Sequence, residues 1–249
     1  MSADTEIQEA AGAVPAATPI LAQDGRPRPA SVAIVAMGAS HQDFIHGAAF
    51  AGGSGAIAEE VWAINAMAGV IRHDRAFLMD PPRHILDHPE WAPAFPTYGA
   101  WLQRHPGPVY STEADPRCPG VVEYPLEQVL NAHGFVYLNT TVAYAIAYAS
   151  WIEVPQIRLF GCDFTYPDHH AAESGRACAE FWMAVAIAKG LHVQVCQSST
   201  LFDSAVPFAK RLYAYERAER RPVVTAPGDG GRRFKVEWVL NEAPGEAAG

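Results

Sequence analysis

Six short apolar runs, each closed by a small, polar or turn-forming residue, are the strongest constraint on what this chain can fold into. They are SVAIVAM (31–37), VWAIN (61–65), RAFLM (75–79), PVYS (108–111), QIRLF (156–160) and HVQVC (192–196). Continuous apolar runs of this length fit strands buried on both faces of a parallel sheet, where helices cover each side. Two helical patterns lie between the last of them. TTVAYAIAYASWI (140–152) follows Asn139, whose side chain suits an N-cap. ESGRACAEFWMAVAIAKG (173–190) sets Ala177, Phe181, Ala184, Val185 and Ala188 on one helical face and ends in Lys189-Gly190, a helix stop. The tyrosines of 142–149 read as helix packing. Strand and helix alternating in this way predict an α/β, Rossmann-like fold: a mostly parallel sheet, helices on both faces, one main domain.

That domain is expected over 30–219, as a nucleotide-binding and catalytic unit. Residues 1–29, rich in Ala and Pro with scattered acids, predict a flexible arm. Residues 220–249 predict a peripheral tail in which only FKVEWVL (234–240) has strand character. The stretch 83–107, with its Pro, His and Trp residues, predicts an irregular insertion or lid.

Eighteen Lys and Arg against 27 Asp and Glu give a formal charge of −9. This excludes a general coat for DNA or RNA, which needs a basic face, but leaves a local cationic patch open. Four cysteines without a CxxC pair predict reduced thiols, a cytoplasmic setting and no closed zinc site. No apolar run reaches the roughly 18 residues of a membrane span. The acidic N-terminus lacks the basic start of a signal peptide.

In open parallel sheets, ligands bind beyond the carboxyl ends of the strands. The residues there are Gly38-Ala39-Ser40, Asn65, Asp80, Ser111-Thr112-Glu113, Asn139-Thr140-Thr141 and Gly161-Cys162-Asp163. Small, polar and acidic, they predict one nucleotide- or sugar-sized site. MGAS lets backbone approach a ligand and offers the Ser40 hydroxyl, yet it is no GxGxxG fingerprint, and no GxxxxGK[ST] occurs. GGSG (52–55) reads as a connector. Asn65 can pair with a base or ribose, or form a local turn. Asp80, held extended before two prolines, can hold a metal or a ribose hydroxyl, or cap a loop. Arg72, Arg75, Arg83 and Arg117 can bind phosphate or lie solvated. The remaining histidines read as surface residues.

The densest chemistry is in LFGCDFTYPDHHAAESG (159–175). Asp163, Tyr166, Asp168, His169 and His170 follow a strand end there. Histidine is suited to proton transfer near neutral pH, and an acidic neighbour can orient it. Asp163, Asp168, His169 and His170 are also metal-ligand types. Adjacent histidines seldom both face one ion, so no metal site is assigned.

Asn139-Thr140-Thr141, the alanine-rich helix, IRLFGCDF (157–164), Tyr166 and His170-Ala171 resemble two related groups. One is the MptE-like superfamily of 6-hydroxymethylpterin diphosphokinases and motility accessory factor glycosyltransferases. The other is the bacterial sialyltransferase family of lipooligosaccharide synthesis. The resemblance runs from about Ser31 to Asp203. It implies that Gly38 and Ser40 line nucleotide phosphates and that Asn65 meets the nucleotide. Asp80 would stand at the third strand end, with Asn139 and Thr140 near the sugar or phosphate. Gly161 and Asp163 would shape the pocket, His170 would be the base and Tyr166 a neighbour of the leaving phosphate. The expected function is a glycosyltransferase with a nucleotide-activated, sialic-acid-like donor and a small-molecule or glycan acceptor, compatible with a homo-oligomer. The alternatives are a Mg²⁺-dependent diphosphokinase, its ion on Asp80 or Asp163, and a nucleotide-binding module without catalysis. The last is motivated by MGAS standing where the family loop carries an asparagine.

Overall fold

The computed structural model describes residues 25–88, 90, 97–225 and 234–240. Seven strands form one parallel sheet: β1 Ser31–Val35, β2 Glu60–Ile64, β3 Arg75–Phe77, β4 Val109–Ser111, β5 Val121–Glu123, β6 Gln156–Phe160 and β7 His192–Val195. Their spatial order is β5-β4-β3-β2-β1-β6-β7. The chain therefore starts at β1, walks outward to β5, and returns by a long crossover to place β6 on β1's other side.

Alternation along each strand sends side chains to the two faces of the sheet, where three clusters form. Val32 and Ile34 of β1, Trp62 and Ile64 of β2, and Ile157 and Leu159 of β6 pack with helices α4 (Leu126–His133), α5 (Thr141–Trp151) and α6 (His169–Ala188). Ala33, Val35 and Val61 face α1 (His41–Ala51) through Phe44. Ala63, Ala76 and Val109 face α3 (Tyr98–Arg104) through Leu102. Both faces are covered, as the apolar runs require: this is an α/β fold of Rossmann-like topology with one main domain. Eight residues of α5 are buried, among them Ala143, Ile146, Ala147 and Tyr148. Small alanines let this helix lie close to the sheet, and Tyr148 closes an aromatic cluster with Trp62, Phe77 and Tyr110.

Several expectations are corrected. α6 begins at His169, capped by Asp168, whose carboxylate accepts from Ala171 N at 3.1 Å. It buries Cys178, Ala179, Trp182, Met183 and Ala186, while Ala177, Ala184 and Ala188 are exposed and Phe181 and Val185 only half-buried. Two apolar stripes compete on this helix. The one with Trp182 and Met183 removes more area from water than three alanines with Phe181 and Val185, and Trp182 Nε1 also donates to Tyr137 O at 2.5 Å. Asn139 does not cap α5. Thr140 holds that position, and Asn139 Nδ2 donates to Ser174 Oγ at 2.8 Å. The stretch 83–107 contains regular structure, α2 (Pro82–Asp87) and α3. FKVEWVL pairs as β9 (Lys235–Leu240) with β8 (Arg220–Thr225), an antiparallel hairpin apart from the main sheet. Most of the expected arm, residues 1–24, lies outside the described residues. Arg26, just beyond them, donates to Asp74 O at 2.9 Å.

A histidine pair ties α3 to the β2–β3 connection. His73 Nδ1 meets Ile71 O and His105 Nδ1 meets Gly107 N, each at 3.0 Å, and the two Nε2 atoms are 3.0 Å apart. A carbonyl only accepts and an amide N–H only donates, so His73 carries its proton on Nδ1 and His105 on Nε2. Both rings are then neutral and share one hydrogen bond. A further proton would set two N–H groups against each other. Burial, and secondarily His73, lowers the pKa of His105. His105 thus takes up a proton more readily in the unfolded chain, so neutral His105 stabilises the fold above about pH 6.5 and progressively less below it. The melting temperature is expected to fall between about pH 7.5 and about pH 5.5, and to fall less in His105→Leu. Equal slopes in the two proteins would show that the pair does not titrate with folding.

Candidate functional site

The sheet order reverses between β1 and β6, and the crevice beyond their carboxyl ends is where open α/β sheets bind ligands. Pairing continues past both strands: Ala36 N donates to Phe160 O at 2.8 Å and Gly38 N to Gly161 O at 2.7 Å. Asp163 then clamps the two loops together. Its carboxylate accepts from Ser40 N at 2.7 Å and from Ser40 Oγ at 2.5 Å, while Ser40 Oγ accepts from Gly161 N at 2.9 Å. Thr200 Oγ1 donates to the Asp163 carbonyl from the far side. Asp163 is only 4% exposed, so its carboxylate is satisfied by Ser40 rather than by water.

This clamp explains two glycines. A Cβ at Gly38 would lie 2.6 Å from Asp163 Oδ2 and 2.7 Å from Gly161 O. Gly161 adopts φ +66, and its Cβ would come within 2.1 Å of Ala36 O. Neither position has room for a side chain.

Between the loops lies a crevice of about 420 Å³. Ala36 and Ile64 contribute to its apolar lining, Asn65 comes from the end of β2, and Thr140, Thr141 and Val142 are the start of α5. Phe164 and Tyr166 line it from the β6–α6 connection. No side chain caps the first turn of α5, and Thr140, Thr141 and Val142 bring its positive dipole end to the crevice. Asn65 sits at φ +51, and its buried Oδ1 has no hydrogen-bond partner. A buried acceptor left in this state is a place for a ligand donor. Phe164 is also left-handed, at φ +48. Its ring fills the space over Gly175, where a Cβ would lie 2.8 Å from it. Burial, and then Cys162, raises the pKa of the Tyr166 hydroxyl, which stays a proton donor through neutral pH.

Gly38, Asn65, Thr140, Gly161, Asp163 and Tyr166 therefore meet in one crevice. Ser40 stands behind the wall, its hydroxyl committed to Asp163 and Gly161 rather than offered to a ligand. Asp163 is correspondingly a positioning residue, since both its oxygens are engaged. Asp80, Asn139 and His170 are not among the lining residues. His170 is exposed in the first turn of α6. Three of the four candidate arginines are spent elsewhere, Arg75 on Glu60, Arg83 on Glu113, and Arg117 on Asp87 and Asp115, while Arg72 is exposed and does not line the crevice. Residues that sequence reasoning did not single out are Ile64, Phe164 and the amides of α5's first turn. Only the pairing of Phe164 with Gly175, eleven positions on, signals that loop, and it is visible only in three dimensions.

Among the described residues no group of three or more His, Cys, Asp or Glu is placed to hold a metal. Asp163 does not fit Mg²⁺, because the Ser40 amide and hydroxyl occupy its carboxylate. No family model matches this chain, and no curated protein or solved structure is detectably similar to it.

Proposed function

We propose that the chain is a glycosyltransferase-like enzyme using a nucleotide-activated sugar of the sialic-acid type. The observation that carries this reading is the crevice at the reversal of the sheet, with the uncapped start of α5 in one wall and the orphaned Asn65 acceptor in another. A phosphate fits the first and a base or ribose donor the second. No Lys, Arg or His lines the crevice among the described residues. A helix end supplies about half an elementary charge, which suits one phosphodiester better than a triphosphate.

In this reading His170 takes the proton of the acceptor hydroxyl as its oxygen bonds to the sugar carbon. The bond from that carbon to the donor phosphate breaks, and the Tyr166 hydroxyl donates to the departing phosphate oxygen. His170→Ala is expected to lower turnover by about 10²–10⁴ while nucleotide affinity is retained. Full turnover in a stable variant would remove His170 from the mechanism. Thermal stabilisation by CMP, UDP, GDP, ADP and ATP, with and without Mg²⁺, tests the site itself. A metal-independent shift with a nucleoside monophosphate is the expected result. A shift with ATP that needs Mg²⁺ would favour pyrophosphate transfer, which has lost Asp163 as an ion ligand.

A second reading, nucleotide binding without catalysis, is favoured by one observation. The titratable side chains lining the crevice are Cys162, Asp163 and Tyr166. The first and last are pushed up by burial, and Asp163 is tied to Ser40. Tight nucleotide binding with no donor breakdown would decide for it.

A further inference from the structure

Residues 208–225 and 234–240 hold six of the chain's 18 Lys and Arg but only three of its 27 Asp and Glu; the rest of the chain holds twelve against 24. The one basic segment of an acidic protein is also where exposed apolar side chains collect. From this juxtaposition we propose that the segment is a docking surface for an anionic lipid bilayer. The proposal is independent of the chemistry in the crevice.

The hairpin β8–β9 pairs Arg220 with Leu240, Pro222 with Trp238 and Val224 with Val236 on one face, and Arg221 with Val239, Val223 with Glu237 and Thr225 with Lys235 on the other. An isolated two-stranded ribbon is marginal in water. Here it leans on short 3₁₀ turns through Tyr215 against Trp238, at 5.7 Å, and Phe208 against Phe234, at 6.5 Å. All six residues of β9 are exposed, Leu240 by 68%, and Tyr213 in the preceding turn by 85%. Lys210, Arg217, Arg220, Arg221 and Lys235 are exposed around them.

Aromatic and aliphatic side chains interleaved with Lys and Arg match the boundary between headgroups and acyl chains. Trp and Tyr settle at headgroup level there, and cations meet lipid phosphates. A nucleic acid would use the cations and the aromatic planes but has no place for Val239 and Leu240. The distribution also sets orientation, since an anionic surface attracts this segment and repels the acidic body. Among the described residues no helix is long and apolar enough to cross a membrane, so attachment would be peripheral.

Flotation of the full chain with vesicles tests the proposal. Binding is expected to vesicles of phosphatidylcholine with phosphatidylglycerol, to be absent with phosphatidylcholine alone, and to weaken in high salt. Each surface cation contributes about fivefold in partitioning, so Arg220→Glu with Arg221→Glu should lower binding by at least about tenfold. Tyr213→Ser, which removes an exposed ring without touching the hairpin, should lower it less. An unchanged main melting transition confirms that both variants are folded. Three results would overturn the proposal: no binding to anionic vesicles, equal binding to neutral ones, or charge-reversed protein that binds as well as the parent. Binding to single-stranded RNA at equal phosphate with none to vesicles would overturn it in favour of a nucleic-acid partner.

Discussion

Gly161→Ala is expected to destabilise the fold by about 3 kcal/mol or more and to abolish ligand binding in the crevice. Two effects add. An L-residue at φ +66 is strained by about 1–2 kcal/mol. The new methyl would also lie 2.1 Å from Ala36 O; a Cβ is fixed by its own backbone and its neighbour is backbone, so no rotamer change relieves the overlap. The chain must shift, and the groups that would separate are those joining β1 to β6: Gly38 N to Gly161 O, Gly161 N to Ser40 Oγ, and Ser40 to Asp163. Gly190→Ala is the control. It has φ +89 at the end of α6 but nothing within 4 Å of the added Cβ, so it carries the backbone strain alone. Urea denaturation of the two variants, with nucleotide titration of whatever remains folded, separates strain from collision. Equal losses in both would show that the β1 and β6 loops yield easily and that the clamp is not what shapes the crevice.

The same clamp marks where sequence reasoning reaches its limit. The inner strands were legible because parallel strands covered on both sides leave unbroken apolar runs, as in SVAIV of β1, and QIRLF, although interrupted by Arg158, matches β6 residue for residue. β5 was not, because Val121–Glu123 is only three residues at a sheet edge, and Glu123 at its end is exposed. α1 was hidden for a related reason: HQDFIHGAAFA buries only Phe44, too little apolar contrast to show a helical face. On α6 the periodicity is real, but the face of Ala177, Phe181, Ala184, Val185 and Ala188 is not the buried one, because the stripe with Trp182 and Met183 offers more apolar area. At the site, strand-end logic found Gly38, Asn65, Thr140, Gly161 and Asp163. It could not see that Ser40 and Asp163, 123 positions apart, satisfy each other. Spacing in sequence carries no record of that pairing, so two side chains offered to a ligand on paper are consumed by the scaffold in space.

At the other end of the sheet, Arg75→Ala is expected to cost about 3–5 kcal/mol while leaving the affinity of the crevice unchanged in protein that remains folded. Arg75 opens β3 with its side chain 0% exposed. Its guanidinium donates to both oxygens of Glu60, at 2.8 and 3.2 Å, and to the hydroxyls of Tyr110 and Tyr148, at 3.4 Å each. Its carbon centre lies 5.4 Å from the Trp62 ring. Burial opposes this charge, and the Glu60 carboxylate more than offsets it, so the guanidinium stays ionised at any accessible pH. Truncation would remove the counter-charge of a largely buried carboxylate and open a cavity between three aromatic rings. A buried pair is nonetheless weak evidence of net stabilisation, because desolvating both ions consumes much of what their attraction returns. The single and double variants therefore differ in a diagnostic way. Arg75→Met should be costly, since the Glu60 carboxylate loses its cation and keeps, of these contacts, the donor Trp62 Nε1 at 2.7 Å. Glu60→Gln should be costly because a buried guanidinium loses its anion. The double variant should recover at least about 1 kcal/mol of the summed loss, the sign of direct coupling in a mutant cycle. Additive losses would mean that Arg75 acts mainly by packing against Trp62 and Tyr148. Nucleotide binding should be the same in every folded variant, because Glu60 and Arg75 begin their strands and the crevice lies beyond the opposite ends of a parallel sheet.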